Sequence, residues 1–596
     1  MRRIHFDDSK NTVPYNEGFV TLYRSKDQWK AELVYHGVYG MGEKYNALNQ
    51  KGRVVVNRVE EKFCFQGEKT YCTTPFFWTD TGFGLYVDTC AVTRFDFQEN
   101  CIIISAPEDA DIVVFHGTPE EMIRDYMSLF GSALLPPEWV LGSWISANCW
   151  NTQRDAEEQI GKIRKYNFPA SVIVLEAWSD EATFYIWNGA KYALKESNAP
   201  FVYEDFDFSD TPWPDPKGLV EKIHDAGLHL LLWQVPVYKK QGMDEISNAQ
   251  NDRDLAEAVN QKLCVMQADG TPYVIPQGHW FSGSLVPDFT NSKTRDSWFG
   301  KRKYLMDMGV DGFKTDGGEF IHHLNVQFHD GTTGKEGVNR YSRDYTESYR
   351  DFVGSSRVIF SRAGFSGQHT VPCLWSGDQQ SQNSELASVL KAGLSAAASG
   401  IIFWGFDLAG FAGPLPSLDL YRRATQMACF CPIMQWHSEP VGGQFQELMS
   451  VAEGNNERSP WNMEENYAAP GFIDEMRYWH NLHEKLRPYF WNTAQACVRD
   501  SKPFLRPLVY EWPDDVNVID CQDEYLLGEH LLVAPLLEEN ATSRKVYLPE
   551  GVWFDFFDGT EYQGRQTITA GKNGRIPVFT RSIFGLENEQ HFCNYF

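Results

Sequence analysis

Charged side chains stand directly behind several short apolar runs in this chain. Glu176 ends VIVLE, Lys314 and Asp316 fall within GFKTDGGE, Arg362 follows VIFS, Asp378 ends LWSGD, and Asp407 ends IIFWGFD. A structural strand commonly stops at Gly, Asn or Pro, and a single Asp in such a place is often the N-cap of the next helix. Several carboxylates converging with a Lys and an Arg point instead toward an active site. Paired carboxylates without a metal-ligand cluster suit cleavage of a glycosidic bond. One attacks the anomeric carbon while the other protonates the leaving oxygen and later deprotonates water. Retaining enzymes hold the pair about 5–5.5 Å apart, and inverting enzymes leave room for a water between them. Sequence does not measure that separation. It does show that Asp316 and Asp378 end different apolar runs, and so can face each other across a pocket.

Competing motifs are poor. GTTGKE (331–336) lacks the phosphate-loop spacing and the Ser/Thr after Lys, and reads as a polar surface turn. GFSGQ is no nucleophile elbow. There is no H-E-x-x-H, and His480 with His483 reads as a surface pair on a helix. The 12 cysteines run from Cys64 to Cys593 without a paired C-x-x-C arrangement, which predicts free thiols in a reducing compartment and no metal site. Two carboxylates supply both proton transfer and a covalent step, so no cofactor is needed.

The elements that must position these groups follow from periodicity. Residues 1–134 alternate in short segments such as RVVVNRV, FGLYVDT and CIIISA, separated by Gly, Asp and Asn turns, and predict an N-terminal β-sandwich. LLPPEWVLGSW marks a boundary. From 135 to 490, buried strands (ASVIVLEAW, LHLLLWQVPV, VDGFKTD) alternate with amphipathic helices (RDAEEQIGKIRKYN, PDPKGLVEKIHDAG, TRDSWFGKRKYLMDMG). That pattern predicts a (β/α)8 TIM barrel with its catalytic groups at the C-terminal strand ends. From 491 to 596, strand-like segments return as a C-terminal β-sandwich region. The expected fold is therefore multidomain, α/β plus all-β.

Composition narrows the partners. A net charge of −26 without a basic stripe argues against nucleic acid and anionic membranes. No run of about 18 apolar residues predicts a membrane span, and MRRIHFDDSK is not a secretory signal, so a cytoplasmic location is expected. The 19 Trp, 27 Tyr and 40 Phe suit stacking on sugar rings, although large enzymes bury such residues as core. A small oligosaccharide or glycoside is the expected partner, with homo-oligomerisation left open.

At the strand ends the sequence resembles glycoside hydrolase family 31, which includes α-glucosidases, α-xylosidases, α-galactosidases and sulfoquinovosidases. YGMGEKYNALNQKGR is similar to the family's N-terminal loop over the active site. WPDPKGLVEKIHDAGLHLLLWQVP, ADGTPY, VPDFTN, GVDGFKTDGGE, WSGD, FWGFDLAGF, PIMQWH, RPLVYEWPDD and LLGEHLLVAPLL follow in family order. The resemblance runs from about residue 35 to 580. It implies Asp316 as nucleophile and Asp378 as acid/base. It also implies Arg362 and His437 as hydrogen-bonding residues around the cleaved sugar, Trp233 and Trp375 as aromatic walls, and Lys314 as the lysine of the K-T-D form of the motif. A buried Trp is usually core and a strand-end Arg often just neutralises nearby acids; for Trp375, directly before S-G-D, the functional reading is preferred, and for Trp233 the two readings are even.

Departures from the family pattern bear on the sugar. Glu176 stands where the family usually has Asp, Gln435 where many members have Arg, and Asn383 where many have Trp. K-T-D leans toward the α-xylosidase branch. The expected activity is a retaining exo-α-glycosidase of α-glucosidase type. The alternatives are an α-xylosidase, an α-galactosidase, a transglycosylase, an α-glucan lyase or a non-catalytic sugar-binding relative.

Overall fold

The computed structural model describes residues 1–581 except 6–9, 16–17, 197, 243–246 and 439–455, so Cys593 lies outside the described residues. Two antiparallel sheets, of five and six strands, form the N-terminal region. Their alternating apolar faces meet in one core: Leu22, Trp29, Phe95, Phe97, Ile102 and Ile104 from one sheet, and Phe77, Leu85, Ile112 and Val114 from the other. Burial alternates along the six-stranded sheet, while the central strands of the five-stranded sheet are buried on both faces, with Phe76, Trp78 and Tyr86 packed into the barrel-side core; the two facing layers make a sandwich.

From Ser143 the pattern changes to short strands in which nearly every described residue is buried. They are β1 (Ser143–Ala147), β2 (Val172–Leu175), β3 (His229–Gln234), β4 (Gly312–Thr315), β5 (Val358–Ser361), β6 (Cys373–Trp375), β7 (Trp404–Gly405) and β8 (Met434–Ser438). All pair in parallel, each with its sequence neighbour, and β8 returns to β1. Between β7 and β8 pairing shrinks to the single bridge Asp407↔Gln435, supported by the Leu408 N–H donating to the Gln435 carbonyl at 2.9 Å. That bridge closes the barrel.

Helices α1 (Gln153–Tyr166), α2 (Pro216–Asp225), α3 (Ser292–Asp307), α4 (Gly334–Val353), α5 (Asn383–Ala397) and α6 (Leu418–Cys429) alternate with these strands. Side chains of Thr152, Asp215, Asn291 and Ser417 cap α1, α2, α3 and α6, a contribution of about 1 kcal/mol each. Among the described helices none is capped by the strand-end acids, which frees those acids for other contacts. GTTGKE is not only a turn, because Thr333 is the N-cap position of α4 and Gly334 opens the helix.

Helix α7 (Phe472–Asp500) runs 29 residues, straight through position 490. Met476, Trp479, Leu482, His483, Leu486, Phe490 and Ala494 form its buried stripe at helical spacing. The expectation of a surface His480–His483 pair is corrected here, since both rings are fully buried. His480 Nδ1 is hydrogen-bonded to Ser143 Oγ at 3.0 Å, and His483 Nδ1 to the Cys429 carbonyl at 3.0 Å. Their flanking apolar residues carry them inward with the stripe. Beyond α7 the chain forms a six-stranded antiparallel sheet and a two-stranded ladder, Arg544–Leu548 with Gln566–Ala570. No described helix is long and apolar enough to cross a membrane.

Candidate active site

On β4, period-two alternation puts Lys314 and Asp316 on one side of the strand. Pairing continues one residue past the strand, where the Asp316 N–H donates to the Gln234 carbonyl at 2.8 Å. Gly312 opens β4 because a Cβ there would lie 1.9 Å from the Val358 carbonyl oxygen of β5. Asp316 then receives three donors. Arg362 Nη1 lies 3.1 Å from Oδ1, the Gly317 N–H 2.7 Å from Oδ1, and Trp233 Nε1 2.9 Å from Oδ2.

Arg362 directly follows β5 and is locked from behind. Its Nε and Nη2 meet the two oxygens of fully buried Glu319 at 3.1 and 3.0 Å, a bidentate fork. The remaining nitrogen, Nη1, reaches Asp316 at 3.1 Å and Asp378 Oδ2 at 3.3 Å. The guanidinium lies between the rings of Tyr71, 4.6 Å to the centroid, and Trp280, 5.2 Å.

Asp378 follows β6 through a tight S-G-D turn. Gly377 has φ +69°, and a Cβ there would lie 2.2 Å from the Tyr71 ring, so the turn requires glycine. Tyr71 comes from the N-terminal region, as does Tyr45, whose hydroxyl donates to the Ser376 carbonyl at 2.7 Å. Burial raises the Asp378 carboxyl well above the usual range. Asp316 and Asp407 add to the rise, and Arg362 and Lys314 oppose it.

Glu176, Lys314 and His437 form a second polar group. Lys314 Nζ donates to Glu176 Oε1 at 2.7 Å and sits 4.6 Å from the centre of the Trp375 ring. Burial opposes the Lys314 charge, yet Glu176, Asp407 and Asp316 together raise its pKa and keep it cationic. Burial pushes Glu176 up to about 7 despite that lysine. His437 Nδ1 is hydrogen-bonded to Ser146 Oγ at 2.6 Å, and its ring stacks on Phe411. Burial, then Lys314 and Arg458, lower its pKa well below the ordinary value. Its Nε2, 3.5 Å from Glu176 Oε2, therefore makes a polar contact and not an ion pair. Asp407 accepts from Gln435 Nε2 at 2.7 Å through Oδ1, while Oδ2 has no hydrogen-bond partner among the described residues.

The candidate catalytic and sugar-binding residues named from sequence belong to one cluster: Glu176, Trp233, Lys314, Asp316, Arg362, Trp375, Asp378, Asp407 and His437. Sequence reasoning missed Glu319, Tyr71, Trp280 and Phe411. Glu319 had a signal, being the last residue of GFKTDGGE. Tyr71 had none, because it arrives from another region of the chain. Away from this cluster, His224, His229 and Asp311 bring three ligand-type atoms within 4.8 Å of one another, at the opposite, N-terminal ends of β3 and β4.

Comparison with known proteins agrees with the geometry. The Glycosyl hydrolases family 31 TIM-barrel domain matches residues 133–493, its C-terminal domain 501–582, and its N-terminal galactose mutarotase-like domain 3–96. An isomaltosyltransferase of Sporosarcina globispora is 35% identical over 560 residues, which are 91% of this chain and 50% of that one. A 1,3-alpha-isomaltosidase of Kribbella flavida is 36% identical over 558 residues, 91% of this chain and 75% of that one. Among solved structures, the cycloalternan-forming enzyme from Listeria monocytogenes in complex with pentasaccharide substrate superposes with a TM-score of 0.89 at 33% identity, over 96% of this chain and 58% of that one. This chain therefore spans only about half the length of two of these relatives. With all three domains matched in order around the strand-end carboxylates, the chain belongs to glycoside hydrolase family 31.

Proposed function

We propose that the chain is a retaining exo-α-glycosidase in which Asp316 is the nucleophile and Asp378 the general acid/base. One observation carries the reading: a single nitrogen, Arg362 Nη1, touches both carboxylates. Two oxygens at 3.1 and 3.3 Å from one atom are no more than about 6.4 Å apart, which supports a close pair of the retaining kind, held at ~5–5.5 Å. Asp316, faced by three donors, attacks the anomeric carbon. Asp378, held protonated by burial and by neighbouring negative charge, gives its proton to the leaving oxygen. Esterification removes the charge of Asp316, so Asp378 becomes more acidic and deprotonates the incoming water. Glu176, Lys314 and His437 supply donors and acceptors for sugar hydroxyls, with Trp233, Trp375 and Trp280 as apolar walls.

For the substrate we propose an α-linked gluco-oligosaccharide carrying an isomaltosyl unit. The names of the two relatives at 35 and 36% identity support this over a xyloside or galactoside. Transfer to a second sugar is the alternative outcome of the same covalent intermediate, and the isomaltosyltransferase favours it. A panel of p-nitrophenyl α-glucoside, α-xyloside, α-galactoside and sulfoquinovoside, run beside isomaltosyl oligosaccharides, tests the sugar. Proton NMR of the first product tests retention, with the α-anomer expected; β first, or full activity of Asp316→Ala, overturns the mechanism. Larger saccharides in place of free sugar would assign transfer.

A further inference from the structure

Behind the wall that carries Trp233 lies a small cavity of about 20 Å³, lined by Tyr185, Tyr238, Asp254, Trp298, Lys301, Arg302 and neighbouring residues. We propose that it is a binding site for one small monovalent anion of the halide class.

The argument begins with charge. Arg302, on α3, is 1% exposed. Its Nε donates to Gln234 Oε1 at 2.5 Å and its Nη1 to the Trp298 carbonyl at 3.0 Å, both neutral acceptors. Its guanidinium carbon lies 3.7 Å from the centre of the Trp298 ring. Among the described residues no carboxylate pairs with it. The acids nearby are engaged elsewhere. Asp254 binds Lys301 at 2.7 Å and also accepts from Tyr185 and Gln250, while Asp180 accepts from the Ala182 and Thr183 N–H groups and from Asn248. Burying a cation without a counter-charge is costly, and proteins compensate such charges with a partner.

The second observation is the pair of donors left over. Arg302 Nη2 and the Tyr238 hydroxyl are both buried, belong to residues that line this cavity, and lack a hydrogen-bond partner among the described residues. Two donors require an occupant that accepts from both. The space is one occupant in size, since about 10–15 Å³ holds a single water-sized particle. A water would satisfy the donors and leave the Arg302 charge uncompensated; a halide satisfies both requirements. The site also connects to the reaction centre. Arg302 holds Gln234, Gln234 Nε2 donates to the Trp233 carbonyl at 2.9 Å, and Trp233 Nε1 holds Asp316.

The test uses the whole chain. Crystals soaked in bromide and measured at the bromine absorption edge should show one anomalous peak on Arg302 Nη2 and Tyr238 Oη. In solution, protein freed of halide should gain about 2 °C in Tm on adding chloride, relative to the same ionic strength of glutamate, whose anion is too large for the cavity. Tyr238→Phe removes one donor while keeping the ring, and should raise the chloride concentration needed for half the shift about tenfold. Arg302→Gln should abolish the shift. Water density without a bromine peak, or a Tm indifferent to chloride in wild type, overturns the assignment.

Discussion

The Lys314 ammonium donates to Glu176 across 2.7 Å with almost no solvent contact at either group. Removing one partner of such a pair leaves an uncompensated buried charge, at about 3–5 kcal/mol. Lys314→Met should therefore lower stability by about that amount in urea denaturation. The double variant Lys314→Met/Glu176→Gln should recover most of it while staying inactive. A double variant as unstable as the two single losses added together would show that the pair is not coupled.

Protonation of the leaving group should be separable from attack. Asp378→Ala should slow glycosides with poor leaving groups by about 10²–10⁴. Dinitrophenyl glycosides, whose leaving group needs no proton, should lose far less in the first step. Equal losses on both substrates, read from kcat/KM, would take the acid role from Asp378.

Asp407 raises the pKa of Asp378 through its charge. The acid role proposed for Asp378 needs its protonated form, so kcat/KM should fall as pH rises through that pKa. Asp407→Asn keeps a hydrogen bond to Gln435 but removes the charge, and the alkaline limb should move to lower pH. The expected result is activity several-fold below wild type along the alkaline limb and nearer to it on the acid side of that limb. A limb that stays in place would separate Asp407 from the proton donor.

Glu43, fully buried, accepts from Trp404 Nε1 at 2.8 Å through Oε1, and its Oε2 lies 3.3 Å from the Tyr45 oxygen, whose one proton goes to the Ser376 carbonyl. Burial lifts its pKa from the ordinary 4.5 to about 8. Because the folded state holds this proton more tightly than the unfolded one, stability contributed here is full below pH 4.5 and is lost as pH rises toward 8. Glu43→Gln should flatten the decline of Tm with pH across that window. An unchanged slope would place the titrating group elsewhere.

Trp280 should act as a wall for the sugar. Trp280→Ala should raise KM for oligosaccharides up to about tenfold, in keeping with the roughly 0.5–1.5 kcal/mol of an aromatic contact, and alter kcat less. A loss confined to kcat would instead mean that Trp280 positions Arg362.

The barrel and the acids at its strand ends were legible because both follow from local pattern. An apolar run followed by a charge marks a strand and its C-terminal end, and Asp316, Arg362, Asp378 and Asp407 were each found that way. Contacts set by distant segments were not legible. Tyr71 reaches Arg362 from the N-terminal region, and Trp280 sits on an excursion after β3 with no regular period. His480 and His483 misled because polar residue type suggested solvent, whereas their spacing on α7 continues an apolar stripe. Gln435 looked like the loss of a charge. In the folded chain its amide holds Asp407 at the seam between β7 and β8, and Lys314 supplies the nearby positive charge.

The Tyr71 ring fills the space where any side chain on residue 377 would go, and so it braces the turn that presents Asp378. On the proposed mechanism turnover then reports on assembly: a barrel made before its sandwich has docked would leave Asp378 in the wrong pose and remain silent. Mutations at that interdomain seam should accordingly read as catalytic defects, although they touch no substrate.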